Sequence, residues 1–487
     1  MSSYFLTRAY PYLSYQIRSF HLQVTGGVKT KLTPQQINHV LRLREASSAE
    51  VELPPPIKSY EVSQLAANFP IEDRCIEAQL LRAGGMLFSV IDGHGGPACG
   101  QAISERLADY VSVALMDKDG LDRIAREMDA SAQSNFQLPQ LVSRRLHPGD
   151  YLVSGQRTVH LKWLKNYVID RLNSKDDSSD ISQKLKDAFV RLDNDLSSCG
   201  LESLDENDQA TEQNNLENLA SSLSGAVVCA AYVDDCDLYV ASTGDCSAFI
   251  ASRDDEDIWT TKSLAAQHTH ENKSEMERIL KDHPGEEATV VTAERLLGQL
   301  YPLRAFGDCQ YKWPVAKLKA ILKNYQLMHL FPNGYATPPY LTAEPDVVHH
   351  RLIGHNKFMM LSSDGLFDFL DERSAGELVI EHMSGRRALQ PFVVTPHSTL
   401  AELNVRLKKR SVAQSKKPDD SNVATHVIRH ALGSTVEGLD VKKLSQALSA
   451  SVEEARYQRD DMTVQVVFFD TDYLRMFSPM ESSGKKS

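Results

Sequence analysis

Phe88-Ser89-Val90-Ile91-Asp92-Gly93-His94-Gly95-Gly96 runs a short apolar strand straight into a carboxylate, a histidine and glycines. The device recurs at Met359 to Asp368, where an apolar run ends in Ser362-Ser363-Asp364-Gly365-Leu366-Phe367-Asp368. Two more acidic motifs sit at strand ends: Asn68-Phe69-Pro70-Ile71-Glu72-Asp73-Arg74, and Arg459-Asp460-Asp461-Met462-Thr463, which leads into a final strand. A carboxylate at the end of a buried strand is costly unless a cation or a hydrogen-bond donor satisfies it. Several converging carboxylates repel one another, and a divalent metal is the natural remedy. Oxygen ligands without a His or Cys cluster point to magnesium or manganese rather than zinc. Glycine after each strand-ending Asp lets the backbone turn sharply and approach an ion. Singly, an Asp-Gly is most often only a turn, so the weight rests on the set. Asp92 to Gly96 also lacks the Gly-x-Gly-x-x-Gly spacing and the lysine of a nucleotide loop.

Outward from these motifs, short apolar runs predict strands at Met86 to Ile91, Ala226 to Val233, Leu238 to Ser242, Ala248 to Ile250, Phe358 to Leu361 and Thr463 to Phe469. Helical periodicity predicts helices at Cys99 to Val113, Ile181 to Leu196, Glu271 to Leu280 and Thr425 to His430. Thr33-Pro34-Gln35-Gln36 reads as a helix start, with Thr33 as N-cap and Gln36 completing a capping box. Strands grouped with strands, and helices between the groups, predict layered α/β rather than strict βαβ alternation. The polar stretches Ser197 to Leu223 and Arg406 to Ser421 read as loops. Asp234-Asp235 and Asp254 to Asp257 read as solvated turns.

Composition bounds the function classes. Of 487 residues, 42% are hydrophobic and 24% charged, as in an ordinary soluble protein. A formal net charge of −12, with no long basic run, argues against nucleic acid as a partner. No apolar stretch reaches the roughly eighteen residues of a transmembrane segment. The 7 cysteines form no Cys-x-x-Cys pair and fit a reducing compartment with free thiols. Residues 1–44 contain no Asp or Glu yet carry Arg8, Arg18, Lys29, Lys31, Arg42 and Arg44, the pattern of a mitochondrial presequence. The expected division is a presequence over 1–28, one catalytic domain with loop insertions over 29–475, and a flexible tail over 476–487.

Asp92-Gly93-His94-Gly95-Gly96, Ser362 to Asp368 and Arg459 to Thr463, in this order, resemble the signature blocks of the type 2C metal-dependent protein serine/threonine phosphatases. Ser242-Thr243-Gly244-Asp245-Cys246-Ser247 resembles that family's Gly-Asp-Ser block. The resemblance implies an α/β sandwich of two mainly antiparallel sheets flanked by helices on both outer sides. It implies two Mg2+ or Mn2+ ions: Asp92 bridges both, Asp364 and Asp460 hold one, and the Gly93 carbonyl with Glu72 helps hold the other. Asp73 acts through bound water, and Asp245 and Asp368, with Asp364, match positions of a weaker third divalent ion. The implied reaction is in-line attack of a hydroxide held by the metals on phosphoserine. His94 matches the family's general acid for the leaving oxygen, and a structural histidine beside the centre is the other reading. One departure stands out: many family members carry a phosphate-clamping arginine where this chain has Asn68, and Arg74 has no claim to that role.

Leu32 to Leu43, Asn68 to Arg74, Leu303 to Trp313, Thr337 to Pro345 and Ala424 to Ala431 are similar to the pyruvate dehydrogenase phosphatase branch of the family. That likeness implies the mitochondrial matrix and, as substrate, the phosphorylated pyruvate dehydrogenase alpha subunit. The implied partners are the lipoyl domain of dihydrolipoyl acetyltransferase, with Ca2+ at that interface, and a regulatory subunit. The chain has no EF-hand spacing, so calcium would be held between partners. Two alternatives stand beside it: a phosphatase for another mitochondrial protein, such as branched-chain 2-oxoacid dehydrogenase, and an inactive scaffold. Such scaffolds usually lose metal carboxylates, whereas Asp92, Asp364 and Asp460 are all present.

Overall fold

Side chains alternating between two apolar faces require a strand with packing on both sides, and the longest strand-like runs here carry that pattern. In the computed structural model, which describes residues 31–48, 52–131, 140–147, 154–174, 179–202, 212–389, 392, 394, 398–415, 418–436 and 438–477, they pair into two antiparallel sheets. In chain order the sheet strands are β1 (Ala46–Ser47), β2 (Ile57–Leu65), β3 (Arg74–Leu80), β4 (Met86–His94), β5 (Val142–Arg144), β6 (Gly225–Asp234) and β7 (Asp237–Thr243). They continue with β8 (Ser247–Arg253), β9 (Trp259–Ser263), β10 (Phe306–Gly307), β11 (Asp346–Arg351), β12 (Asn356–Ser362) and β13 (Met462–Phe469). One sheet runs β1-β2-β13-β12-β8-β9, the other β11-β7-β6-β4-β3-β5, with β10 paired to the start of β6.

Alternation sorts each strand's residues into layers. Phe88 and Val90 of β4, Cys229 and Ala231 of β6, Met359 and Leu361 of β12 and Val467 of β13 meet between the sheets. Their neighbours Leu87, Ile91, Val228 and Ala230 point the other way, against helices α1 (Ala98–Leu115) and α2 (Ile181–Glu202). On the far side Phe358, Met360, Val464 and Val466 pack with Val427 and Ile428 of α3 (Val423–Gly433) and with Ile37 and Leu41 of the N-terminal helix. The expected sandwich, helices outside both sheets, is therefore the observed one. The capping box also forms: Thr33 Oγ1 accepts from the Gln36 amide at 3.3 Å, and Gln36 Oε1 accepts from the Thr33 amide at 2.9 Å.

Two expectations are overturned. The stretch Ser197 to Leu223 is not a loop where it is described: α2 continues to Glu202, and a further helix covers Glu212–Leu223. Leu219, Ala220 and Leu223 are buried there, and so are the polar side chains of Glu217, Ser221 and Ser222. Arg406 to Ser421 likewise begins inside a helix, Leu400–Ser415, whose Lys408 and Lys409 are exposed. Strand β2 escaped the sequence reading because its buried positions include Ser63 and Gln64, where Gln64 Nε2 donates to Thr463 Oγ1 at 3.1 Å. The presequence expected over 1–28 lies outside the described residues. Of the expected tail, Met476 and Phe477 close a helix, Thr471–Phe477, and 478–487 lie outside the described residues. Among the described residues no helix is long and apolar enough to cross a membrane.

Candidate metal centre

The acidic motifs meet because the strands that carry them end side by side. Asp92 and Gly93 close β4, Asp73 precedes β3, Asp364 follows β12, Asp460 precedes β13, and Asp245 lies between β7 and β8. The loop Ala67 to Glu72 is held in place by an acid that the sequence reading left without a role. Asp461 Oδ1 accepts from the amides of Ala67 at 2.6 Å and Asn68 at 2.8 Å, and its Oδ2 accepts from the Glu72 amide at 2.7 Å. A carboxylate bonded to three backbone amides is a structural clamp, and it sets Glu72 beside the other acids.

Glycine at 93 and 365 has a reason other than the turn expected of it. Neither residue has a positive φ; both admit close passage of another backbone. A Cβ on Gly93 would lie 2.5 Å from the Glu72 carbonyl oxygen, and one on Gly365 would lie 2.2 Å from the Asp461 carbonyl oxygen. Asp-Gly at these strand ends is thus what lets the acidic loops close on one another.

The acids are crowded enough to resist ionising together. Burial, then Asp364, Asp73 and Asp245, pushes Asp92 well above the carboxylate range, and Asp92 and Asp364 share a hydrogen bond. Burial and then Asp461 raise Asp73 strongly and bring Glu72 to about 7. Asp245 is pushed to about 7 by burial and Asp364. Burial raises Asp364, with Asp460 and Asp368 adding to it, and burial followed by Asp460 raises Asp368. Two oxygens in this group are buried without any hydrogen-bond partner, Asp73 Oδ1 and Asp364 Oδ1. The other Asp73 oxygen accepts from Ser363 Oγ at 2.8 Å and Thr463 Oγ1 at 2.7 Å. Orphaned carboxylate oxygens in an all-oxygen cluster are what a hard divalent cation would satisfy, so the residues fit magnesium or manganese. Every acid singled out in the sequence falls in this cluster: Glu72, Asp73, Asp92, Asp245, Asp364, Asp368 and Asp460.

His94, at the end of β4, has a partner that the sequence reading did not single out. Its Nε2 lies 2.6 Å from Oδ2 of buried Asp308, which follows β10 with φ 48, in the left-handed region. Only glycine fits between β6 and this pair, since a Cβ on Gly225 would lie 2.1 Å from Asp308 Oδ2 and 2.2 Å from His94 Nε2. Burial opposes protonation of His94, but Asp308, then Glu72 and Asp245, more than offset it and raise the imidazole to about 9. Asp308 lies inside Leu303 to Trp313, a stretch visible only as a resemblance; its pairing with a residue 214 positions away left no local signal.

Around the rim, Asn68 Nδ2 donates to Asp460 Oδ1 at 3.2 Å, and Asn68 Oδ1 is buried without a hydrogen-bond partner. Arg74 is buried and bonded to Gln101 Oε1 at 2.8 Å and to the carbonyls of Ile71 and Asp73, so its guanidinium pins the turn before β3. Arg459 donates through Nη2 to the Ala66 carbonyl at 2.7 Å, while its Nε and Nη1 have no hydrogen-bond partner.

Residues 157–437 match the family described as protein phosphatase 2C. Pyruvate dehydrogenase (acetyl-transferring) phosphatase 1, mitochondrial, of Homo sapiens is 36% identical over 473 residues, covering 93% of this chain and 86% of that protein. Phosphatase 2 of the same name in Homo sapiens is 36% identical over 480 residues, covering 96% of this chain and 87% of that protein. The mitochondrial phosphatase 1 of Saccharomyces cerevisiae is 30% identical over 446 residues, covering 84% of this chain and 68% of that protein.

The crowded acids give the metal-free protein a characteristic pH response. Glu72 and Asp245, at about 7 in the folded chain, hold protons that an unfolded chain has lost above its ordinary carboxylate range. Their stabilising contribution is complete below that range and is lost as pH rises through 7. The melting temperature of chelator-treated protein should therefore fall by several degrees between pH 5.5 and pH 8, and millimolar Mg2+ or Mn2+ should restore it at pH 8. A metal-independent, flat profile would contradict the shared-cation reading of the cluster.

Proposed function

The chain belongs to the protein phosphatase 2C family and is a metal-dependent serine/threonine protein phosphatase; we propose that it dephosphorylates, and so activates, the pyruvate dehydrogenase α subunit in the mitochondrial matrix. The observation that carries the catalytic part is the cluster of buried acids with two orphaned oxygens, Asp73 Oδ1 and Asp364 Oδ1. The substrate assignment is supported by mitochondrial pyruvate dehydrogenase phosphatases that match nearly the whole chain. It also agrees with the acid-free, basic segment over 1–28, proposed as a cleaved presequence.

Two Mg2+ or Mn2+ ions would be held by Asp92 between them, by Asp364 and Asp460 on one side, and by Glu72 and the Gly93 carbonyl on the other. Asp245 and Asp368 would serve a weaker third ion. When bound there, such ions acidify water and neutralise charge on phosphoryl oxygens. The chain's own residues do the rest. Asp73, held by Ser363 and Thr463, presents its second oxygen to orient a water. The Asp308 carboxylate, 2.6 Å from Nε2, favours the imidazolium form of His94. With Nε2 engaged by Asp308, Nδ1 is the atom available to protonate a departing seryl oxygen. Asn68 supplies no positive charge, and Arg74 is committed to Gln101 and to the Ile71 and Asp73 carbonyls, so phosphate receives no bidentate clamp from either. Docking on the lipoyl domain of dihydrolipoyl acetyltransferase, with Ca2+ at the interface and a regulatory subunit, would offset this by raising the local substrate concentration to the order of mM.

The direct test is phosphate release from phosphorylated pyruvate dehydrogenase complex, with phosphorylated branched-chain 2-oxoacid dehydrogenase as the competing substrate. Chelator should abolish release, Mg2+ or Mn2+ should restore it, and kcat/KM should favour the pyruvate complex. Preference for the branched-chain enzyme would overturn the substrate assignment.

The role of His94 has a separate signature. His94→Gln should slow hydrolysis of alkyl phosphates by about 10²-fold or more while nearly sparing an aryl phosphate with a good leaving group. Equal losses on both substrates would mean that His94 orients the centre rather than protonating the product.

A further inference from the structure

Beyond Asp73, strand β3 carries two more reactive side chains on one face. Cys75 and Glu77, two positions apart, both face the space between the sheets, where Cys75 packs in the core. His147, just past β5, folds back onto them. Its Nε2 lies 2.5 Å from Glu77 Oε2, and one ligand atom each from Cys75, Glu77 and His147 all fall within 4.8 Å of one another. All three residues are buried, the Glu77 side chain completely. From the facing sheet, Gln465 of β13 donates through Nε2 to the Ile76 carbonyl at 3.1 Å and to the second Glu77 oxygen. Both partners are acceptors, which fixes the orientation of that amide. Its oxygen, Oε1, is buried and has no hydrogen-bond partner.

We propose that Cys75, Glu77 and His147 form a zinc site between the two sheets, distinct from the carboxylate centre, with the Gln465 amide oxygen as a neutral fourth donor. A thiolate, an imidazole and a carboxylate are the mixed S, N, O set that zinc accepts, whereas magnesium and manganese favour oxygen. Charge balances: the thiol releases its proton to solvent on binding, so thiolate and carboxylate neutralise the dication in a site that water does not solvate. Zinc bond lengths put tetrahedral ligand atoms roughly 3.3–3.6 Å apart. Binding therefore opens the Glu77–His147 hydrogen bond by about an ångström and draws the sulfur inward. Cys75 also borders a small crevice lined by Gln101, Ser104, Arg144 and Arg145. The ion ties β3 to the segment after β5 and, through Gln465, to the opposite sheet. It thereby steadies the strand whose preceding residue is Asp73. The cysteine spacing in the sequence suggested no zinc site, because the third ligand is 70 residues from Glu77.

The test uses the full chain, stripped with chelator and then given Mg2+ to occupy the carboxylate centre. Titration with Co2+ should produce a thiolate-to-cobalt charge-transfer band that saturates at about one ion per chain and is displaced by equimolar Zn2+. The band should vanish in Cys75→Ser and persist in Asp364→Asn, which alters only the carboxylate centre. Zn2+ should raise the wild-type melting temperature by several degrees and leave that of Cys75→Ser unchanged. X-ray absorption on the zinc-loaded wild type, which depends on no variant folding, should show one sulfur among nitrogen and oxygen ligands. A wild type without the band, a band surviving in Cys75→Ser, or a sulfur-free zinc shell would overturn the site.

Discussion

Repulsion among carboxylates gathered at adjacent strand ends is the constraint to which the catalytic side of this molecule answers. Asp92, Asp364, Asp73, Asp245 and Glu72 are all displaced toward their protonated forms by burial first and then by neighbouring carboxylates, Asp460 and Asp461 among them. A fold optimised for stability alone would not collect them. The arrangement is tolerable with a dication between the acids, and without one it must retain protons. Stability of the metal-free chain and occupancy of the centre are therefore two aspects of one electrostatic problem.

What makes the gathering geometrically feasible is ordinary chain packing. Asp461 spends both oxygens on three amides of the loop before β3, and Gly93 and Gly365 let neighbouring backbones pass where a Cβ would collide. Gly225 does the same for His94 and Asp308. These contacts join β4 and β3 of one sheet to β12 and β13 of the other, so the centre is built on the seam between the sheets. A change in how the sheets sit on each other would move the acids relative to one another. The Cys75, Glu77 and His147 cluster lies on that same seam, one alternate position further along β3 from Asp73.

The sandwich was legible where strands are apolar on both faces. Met86 to Ile91 and Ala226 to Val233 lie wholly within β4 and β6, because their residues must serve a core on either side. It was illegible where burial is polar, as at Ser63 and Gln64 of β2 and at Glu217, Ser221 and Ser222 of the helix Glu212–Leu223. Asp92 and Asp364 stood out because a carboxylate at the end of an apolar strand conflicts with local physics, whereas Asp245 was visible only through the family resemblance. Asp461 and Asp308 did not stand out, since their roles come from amides and a ring nitrogen that are distant in sequence. Gly93 and Gly365 were read as turn residues, whereas they admit neighbouring backbone without a positive φ.

We propose that these acids are a shared cation site, with Asp92 common to both ions. Equilibrium dialysis of Mn2+ against the chelator-stripped full chain, wild type beside Asp92→Asn, addresses that claim without any substrate. About two tightly held ions are expected in the wild type, with tight binding lost at both positions in the variant. An Asp92→Asn protein that still binds the wild-type number of ions with wild-type affinity would contradict it.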